Sequence, residues 1–210
     1  MTRPMMKLLH ALTSPYVRKV MVSAHLLGLA ERIQLLPSAA SPVLRDVRIA
    51  EHNPMAKVPT LILEDGQALY DSRVICEYLD SLHPEYGLFP ASGPLRWKAL
   101  ALQSLGDGLL DAALLARYEL TARRPEKQCE DWRTAQLVKV HACLDGMETE
   151  VQTLATDHLT IGEVTLGCAL GYLDFRFAEL NWRDSHPKTA EWNSKVQALP
   201  AMQATIPFAT

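Results

Sequence analysis

Apolar positions along this chain fall first into short strand-like runs and later into helical stripes, and their order predicts an architecture. Lys7 to His10 reads as a strand. After a turn at Thr13 and Ser14, the residues Val17, Val20, Met21, Ala24 and Leu27 recur at helical spacing, with Arg18, Lys19 and Ser23 off the stripe and Gly28 as a stop. Arg32 to Leu36 predicts a second strand, and the stretch from Pro37 to "EHNP" a loop with one short helix. In "VPTLILEDGQALY" two apolar runs flank Asp65-Gly66, the pattern of a β-hairpin. Val74, Ile75, Tyr78, Leu79 and Leu82 then share one helical face, opened by Asp71 and Ser72 and followed by Pro84. Residues 1–82 therefore read as one α/β domain: βαβ, a connecting segment, then ββα.

Residues 83–94, "HPEYGLFPASGP", hold three prolines and two glycines, which is linker composition. From 95 to 210 every periodic segment is helical. Leu95, Ala99, Leu102, Leu109 and Ala113 fit a long first helix, and Leu137, Val140, Leu144, Met147, Val151 and Leu154 step by three and four. In "LTIGEVTLGCALGYLDF" Thr160 and Glu163 have capping-box spacing, and Leu159 and Val164 are placed for a hydrophobic staple. Gly167 and Gly171 would let a neighbouring helix approach this segment, and a last helix runs from Pro187 through Trp192 and Val196 to Leu199. The second domain is thus expected to be an all-α bundle.

Composition narrows the function. At 210 residues the chain is long enough for two modest cores, and 48% hydrophobic with 21% charged residues is ordinary globular usage. A net charge of −3 without a Lys/Arg stripe argues against a nucleic-acid partner. The first residues lack a signal-like core and no apolar run approaches membrane-spanning length, so a cytoplasmic protein without a membrane partner is expected. Cys76, Cys129, Cys143 and Cys168 are too far apart for a redox pair or zinc knuckle and predict reduced, buried thiols. The seven histidines show no metal-binding spacing, so no metal is expected.

Three short segments offer chemistry. Ser14-Pro15 opens a helix, which an ordinary cap would also explain. Val58-Pro59 starts the hairpin; a cis bond there would leave the Val58 main chain open to an extended peptide. Asp71-Ser72 stands at a helix N-terminus, where Ser72 suits a carboxylate and Asp71 an ammonium, although plain capping again suffices.

Together these segments carry a resemblance. "TSPYVRKV" is similar to the serine-type active-site segment of the cytosolic glutathione S-transferases, "NPMAKVPTLILEDG" to their glutathione-binding stretch, "LYDSRVICEYLD" to the segment after it, and "LTIGEVTLGCALGYLDFR" to their capping-box helix. The likeness runs from Lys7 to Leu199 and is nearest to the small bacterial serine-type members. It implies a thioredoxin-like first domain, an all-helical second domain, a homodimer, and glutathione as co-substrate with no metal. Ser14 would hydrogen-bond the glutathione sulfur. Val58, held by cis-Pro59, would pair with the cysteinyl main chain; Asp71 and Ser72 would hold the γ-glutamyl end; Lys57 would assist with a carboxylate, and His52 is a further candidate.

The implied activity is conjugation of glutathione to a small electrophile, as in detoxification; the alternative is a non-catalytic glutathione-binding or protein-interaction module on the same fold. A free thiol of pKa about 8.5 is mostly protonated at neutral pH, and lowering it by about two units takes roughly 2.7 kcal/mol of preference for the thiolate. Ser14 would act as a donor to sulfur and not as a nucleophile: the G-x-S-x-G signature is absent, and a serine cannot form the mixed disulfides of thiol exchange. A hydroxyl pointed at sulfur is expected to compromise the helix cap. The electrophile's pocket is expected between the domains, with Asp107, Asp111 and Arg117 of "SLGDGLLDAALLARYE" as polar groups that otherwise make helix-surface or interdomain pairs.

Overall fold

A computed structural model describes residues 5–83 and 87–208. By contact density the chain divides into two compact units, Met1–Ala91 together with Ala204–Thr210, and Ser92–Gln203. The first contains β1 (Met6–His10), α1 (Pro15–Leu26), β2 (Ile33–Pro37), the short α2 (Val47–Ala50), β3 (Thr60–Ile62), β4 (Ala68–Leu69) and α3 (Ser72–Ser81). The second is built from α4 (Gly93–Thr121), α5 (Glu130–Glu150), α6 (Ile161–Arg176), α7 (Trp182–Ser185), α8 (Pro187–Gln197) and α9 (Pro200–Gln203). This is the thioredoxin-like plus all-helical arrangement.

The sheet has the order β2-β1-β3-β4. β1 runs parallel to β2, Leu9 opposite Leu36, and antiparallel to β3, Leu9 opposite Thr60. β3 and β4 form the hairpin, Leu61 opposite Leu69, closed where Gly66 adopts φ 89, a left-handed value that glycine takes without steric penalty. Alternation along β1 and β3 sends Leu8 and Leu61 to one face and Leu9 and Ile62 to the other. Beneath α2, a cavity of about 300 Å³ is lined by Leu9, Leu36 and Ile62 with Arg48 and His52.

α1 departs from its expected amphipathicity, because Arg18, Lys19 and Ser23 are buried. The helix is covered on more than one side. Ser23 Oγ donates to Cys76 Sγ of α3 at 3.4 Å, and Arg18 Nε donates to Thr205 Oγ1 in the returning C-terminal segment at 3.5 Å. On α3 the buried face is Ser72, Ile75, Cys76 and Leu79, with Val74 left exposed. In the last turn of α3, Asp80 accepts from Leu88 N at 2.5 Å and Phe89 N at 3.3 Å, so this part of the Pro/Gly-rich stretch is pinned; residues 84–86 lie outside the described ones.

In the helical unit α6 is the core, packed most extensively on α4. Close approach of these helices depends on Gly162, where an added Cβ would lie 2.7 Å from Leu102 Cβ and 2.9 Å from the Ala99 carbonyl oxygen. Gly167 gives the close approach expected of it, to Val196 of α8 and Met202 of α9, whose side chains an added Cβ would meet at 3.1 and 2.5 Å. The capping box forms: Thr160 N donates to Glu163 Oε2 at 2.9 Å and Gly162 N to Thr160 Oγ1 at 3.2 Å. Leu95 is exposed at the start of α4 and Leu137 is half-buried, so neither anchors the core as its spacing suggested.

Two composition-based expectations need correction. α4 does contain a window of mean hydropathy 1.3 that is long and apolar enough to cross a bilayer. Since 56% of that window is buried inside the protein, its apolar residues read as core. The cysteines form no disulfide, but only Cys76 and Cys168 are buried; Cys129 is exposed and Cys143 half-buried.

A cap supplied from another helix gives a stability prediction. Glu148 of α5 accepts from Lys188 N at 3.0 Å and from Thr189 N and Oγ1 at 2.8 Å, satisfying the opening turn of α8. Burial raises its pKa, but these hydrogen bonds and the Lys188 charge outweigh burial and leave it lowered. A lowered folded-state pKa means that the stabilisation is present above the ordinary carboxylate range and is lost as pH falls through the folded value. Glu148→Ala is expected to cost about 1 kcal/mol at pH 7, and thermal unfolding should show the deficit shrinking on acidification below the carboxylate range.

Candidate functional site

Strand direction alone gathers three chain junctions at one edge of the sheet. β1 ends at His10, beside the start of β3, because Leu9 faces Thr60. β4 runs opposite to β3 and therefore ends at the same edge, with Leu69 facing Leu61. The β1–α1 turn with Ser14, the segment Lys57-Val58-Pro59 entering β3, and the Asp71-Ser72 start of α3 all emerge there.

Ser14 is the N-cap of α1, half-buried, with its hydroxyl oxygen accepting from Val17 N at 3.3 Å. The cap does not use up the hydroxyl. A hydroxyl has two acceptor lone pairs and one donor proton; the cap uses a lone pair, and among the described residues the proton has no acceptor. Pro15 at the first helical position has no N–H of its own to satisfy.

Val58-Pro59 is a cis peptide bond, as is Tyr70-Asp71. Val58 is half-buried, and neither its N–H nor its C=O is hydrogen-bonded among the described residues, so its main chain is available to an extended ligand. Asp71 is the N-cap of α3 and accepts from Arg73 N at 2.9 Å. Ser72 is buried in the first turn, and its hydroxyl has no hydrogen-bond partner among the described residues. Lys57 and His52 are exposed, and His52 lines the cavity under α2. On α4, Asp107 is buried, Asp111 exposed and Arg117 half-buried.

Asn53 organises this corner, although it carries none of the residue signals used above. Fully buried, it donates through Nδ2 to Lys57 O at 3.1 Å and to Thr60 Oγ1 at 3.0 Å, and its Oδ1 accepts from Met55 N at 3.0 Å. Thr60 Oγ1 in turn donates to Lys57 O at 2.8 Å. The chain before and after Val58-Pro59 is thereby tied to one amide. Asn53 N also donates to Ile49 O at 2.8 Å, fixing the amide to α2, and Ala56 adopts φ 52 inside the loop, a conformation unusual outside glycine. The Asn-Pro pair at the loop start was the available sequence signal, since asparagine side chains commonly bond to nearby backbone in turns.

Among the described residues, no group of three His, Cys, Asp or Glu side chains is placed to hold a metal ion. The edge instead offers a hydroxyl proton, an open main-chain segment and a helix N-terminus, which suit a peptide-like ligand carrying an acidic end.

Comparison with known proteins gives the family. Residues 13–82 match the family profile described as glutathione S-transferase, N-terminal domain, and residues 130–192 that described as glutathione S-transferase, C-terminal domain. The uncharacterized GST-like protein YibF of Escherichia coli K12 is 33% identical over 185 residues, 87% of this chain and 89% of that protein. The chain belongs to the glutathione S-transferase family. Among solved members, a glutathione transferase family member from Pseudomonas fluorescens Pf-5 with bound glutathione is 44% identical, covering 97% of this chain and 100% of its own, with a TM-score of 0.94. A glutathione S-transferase from Methylobacillus flagellatus KT with glutathione bound is 33% identical, covering 97% and 100%, with a TM-score of 0.88. Every candidate from Ser14 to Ser72, and Asn53 with them, falls within the span matching the N-terminal domain.

Proposed function

We propose that this chain binds glutathione at the sheet edge, stabilises its thiolate and conjugates it to a small electrophile. The observation that carries this reading is the convergence of Ser14, Val58 and Asp71-Ser72 at one edge, with a hydroxyl proton, a main-chain segment and a second hydroxyl each left available. Val58 N–H and C=O would pair with the cysteinyl unit, Ser72 and the α3 N-terminus would take the γ-glutamyl carboxylate, Asp71 its ammonium, and Lys57 a carboxylate. The bound relatives support the ligand. So does a second structure of the P. fluorescens Pf-5 protein, with S-(propanoic acid)-glutathione, 43% identical over 97% of this chain and 100% of its own, at a TM-score of 0.89.

Ser14 would donate its proton to the sulfur while its oxygen continues to accept from Val17 N. A charge-assisted hydrogen bond of about 1.5–3 kcal/mol plus about 0.3–1 kcal/mol from the helix dipole meets the roughly 2.7 kcal/mol that a two-unit shift requires. The thiol proton passes to solvent, and the thiolate attacks the electrophilic carbon. We also infer a cytoplasmic homodimer with a role in detoxification; the exposed Leu95 and Trp97 at the start of α4 are apolar surface that a second copy would cover.

Retention on immobilised glutathione, followed by conjugation assays with an aryl halide, tests the proposal. Ser72→Ala is expected to raise KM for glutathione about tenfold, since one hydrogen bond to a charged group is lost, with kcat changing much less. Retention without conjugation would leave the non-catalytic binding module as the correct reading.

A further inference from the structure

The two faces of the sheet are covered unequally. On one face Leu8 and Leu61 are fully buried, whereas on the other α2 is four residues long and buries only Ile49 of its own. Leu36 and Ile62 are left half-buried there, and with Leu9 they form the apolar wall of the cavity of about 300 Å³ under α2. Small-ligand pockets have volumes of about 300–1,000 Å³, so this one is large enough for a compact molecule. It is lined by none of Ser14, Val58, Asp71 and Ser72.

Three exposed polar residues complete the lining: Arg48 of α2, and Glu51 and His52 directly after it. Arg48 and Glu51 are three apart, a spacing at which opposite charges on a helix commonly pair, yet no ion pair joins them among the described residues. Arg48 Nη2 instead donates to Pro37 O at 3.4 Å and lies 4.0 Å from Asp46 Oδ2. Asp46 is already engaged by main chain, accepting from Arg48 N at 2.9 Å, Ile49 N at 3.3 Å and Ala39 N at 3.0 Å. Arg48 Nε and Nη1, the Glu51 carboxylate and the His52 ring therefore remain without a hydrogen-bond partner among the described residues. A cation and an anion kept apart beside an apolar wall complement a molecule that carries both charges on an apolar body.

We propose that this cavity binds an apolar α-amino acid as its zwitterion, with the carboxylate on Arg48, the ammonium on Glu51 and the side chain against Leu9, Leu36 and Ile62. A simple anion would be repelled by Glu51 and a simple cation by Arg48, whereas the zwitterion answers both. The site is separate from the glutathione corner and does not depend on the transferase reading. Glutathione also carries an α-amino acid group, at its γ-glutamyl end, but no apolar side chain, and the experiment separates the two ligands.

Heteronuclear NMR titration of the full chain with L-phenylalanine, with and without saturating glutathione, measures the affinity. Three related probes each lack one feature: 3-phenylpropanoate the ammonium, 2-phenylethylamine the carboxylate and L-alanine the large apolar body. Because the charged groups are exposed, each ion pair is expected to contribute about three- to fivefold in affinity, and loss of the apolar body more than about tenfold. Arg48→Gln should weaken L-phenylalanine about three- to fivefold without weakening 2-phenylethylamine, and Glu51→Gln should do the same without weakening 3-phenylpropanoate. Both side chains are exposed, so neither substitution disturbs the core. Binding that persists at saturating glutathione and responds to both charges supports the proposal. Absence of saturable shifts, equal L-phenylalanine affinity in wild type and both variants, a probe lacking one charge that binds as tightly as L-phenylalanine, or displacement of L-phenylalanine by glutathione overturns it. If glutathione itself does not bind, the transferase reading falls and the titrations without it decide the cavity.

Discussion

Ser14→Ala is expected to raise the pKa of the bound glutathione thiol by about one to two units, because a charge-assisted hydrogen bond of roughly 1.5–3 kcal/mol to the thiolate disappears. The sign is fixed by which form the hydroxyl favours. A donor stabilises S⁻ over SH, so its removal moves the thiol upward, and conjugation below the new pKa falls about 10- to 100-fold. Above that pKa most of the rate returns, which a general loss of folding would not produce. The readout is ultraviolet absorbance of the bound thiolate against pH, alongside the pH profile of kcat. Ala also removes the lone pair that accepts from Val17 N, and N-cap loss alone costs about 0.5–2 kcal/mol of stability. Ser14→Gly separates the two roles, since glycine caps only a few tenths of a kcal/mol less well than serine yet has no proton to donate. Gly and Ala should therefore shift the thiolate titration equally while differing in melting temperature. Identical titrations for wild type and both variants would end the assignment of Ser14 to the sulfur.

The features legible beforehand were those written locally. The order of strands and helices follows from changes of apolar period, the α6 start from Thr160 and Glu163, and the hairpin from Asp65-Gly66. What stayed hidden depends on partners distant in sequence. Arg18 and Lys19 have the residue types of a solvated face, and only the return of the chain near Thr205 and the packing of α3 put that face inside. Gly162 looks like part of a cap until Ala99 and Leu102 of α4 are set against it. The binding corner divides the same way. Ser14, Pro59 and Ser72 are marked as candidates by helix starts and a strand-leading proline, whereas Asn53 acts through a side chain whose partners, Lys57 O and Thr60 Oγ1, become neighbours only after the loop has turned. At Ser14 the sequence shows one hydroxyl, whose donor and acceptor capacities are separate, so a cap that uses a lone pair leaves the proton for another partner.

Asn53→Ala is the second change with a large expected effect, and it tests whether the Val58 main chain must be held for glutathione to bind. The substitution removes three side-chain hydrogen bonds, to Lys57 O, Thr60 Oγ1 and Met55 N, and leaves buried groups without their partner. A buried polar group losing its partner costs about 1–3 kcal/mol, so the melting temperature should fall by several degrees. The specific consequence lies one residue further on, because Lys57 O and Thr60 bracket Val58-Pro59, and releasing them frees the segment proposed to pair with the cysteinyl unit. KM for glutathione should rise at least about tenfold, as expected when binding must order a segment that was previously fixed. At saturating glutathione kcat should hold within about threefold, Ser14 being on a different junction of the sheet. Graded variants distinguish positioning from mere stability. Thr60→Val keeps the Asn53–Lys57 bond and should give a small KM effect. Asn53→Asp keeps an acceptor for Met55 N but turns a carboxylate with no donor toward the Lys57 carbonyl, and should bind glutathione no better than Asn53→Ala. If the variants lose stability in this order while KM for glutathione stays at the wild-type value, Asn53 supports the fold alone and Val58 needs no anchoring to serve its ligand.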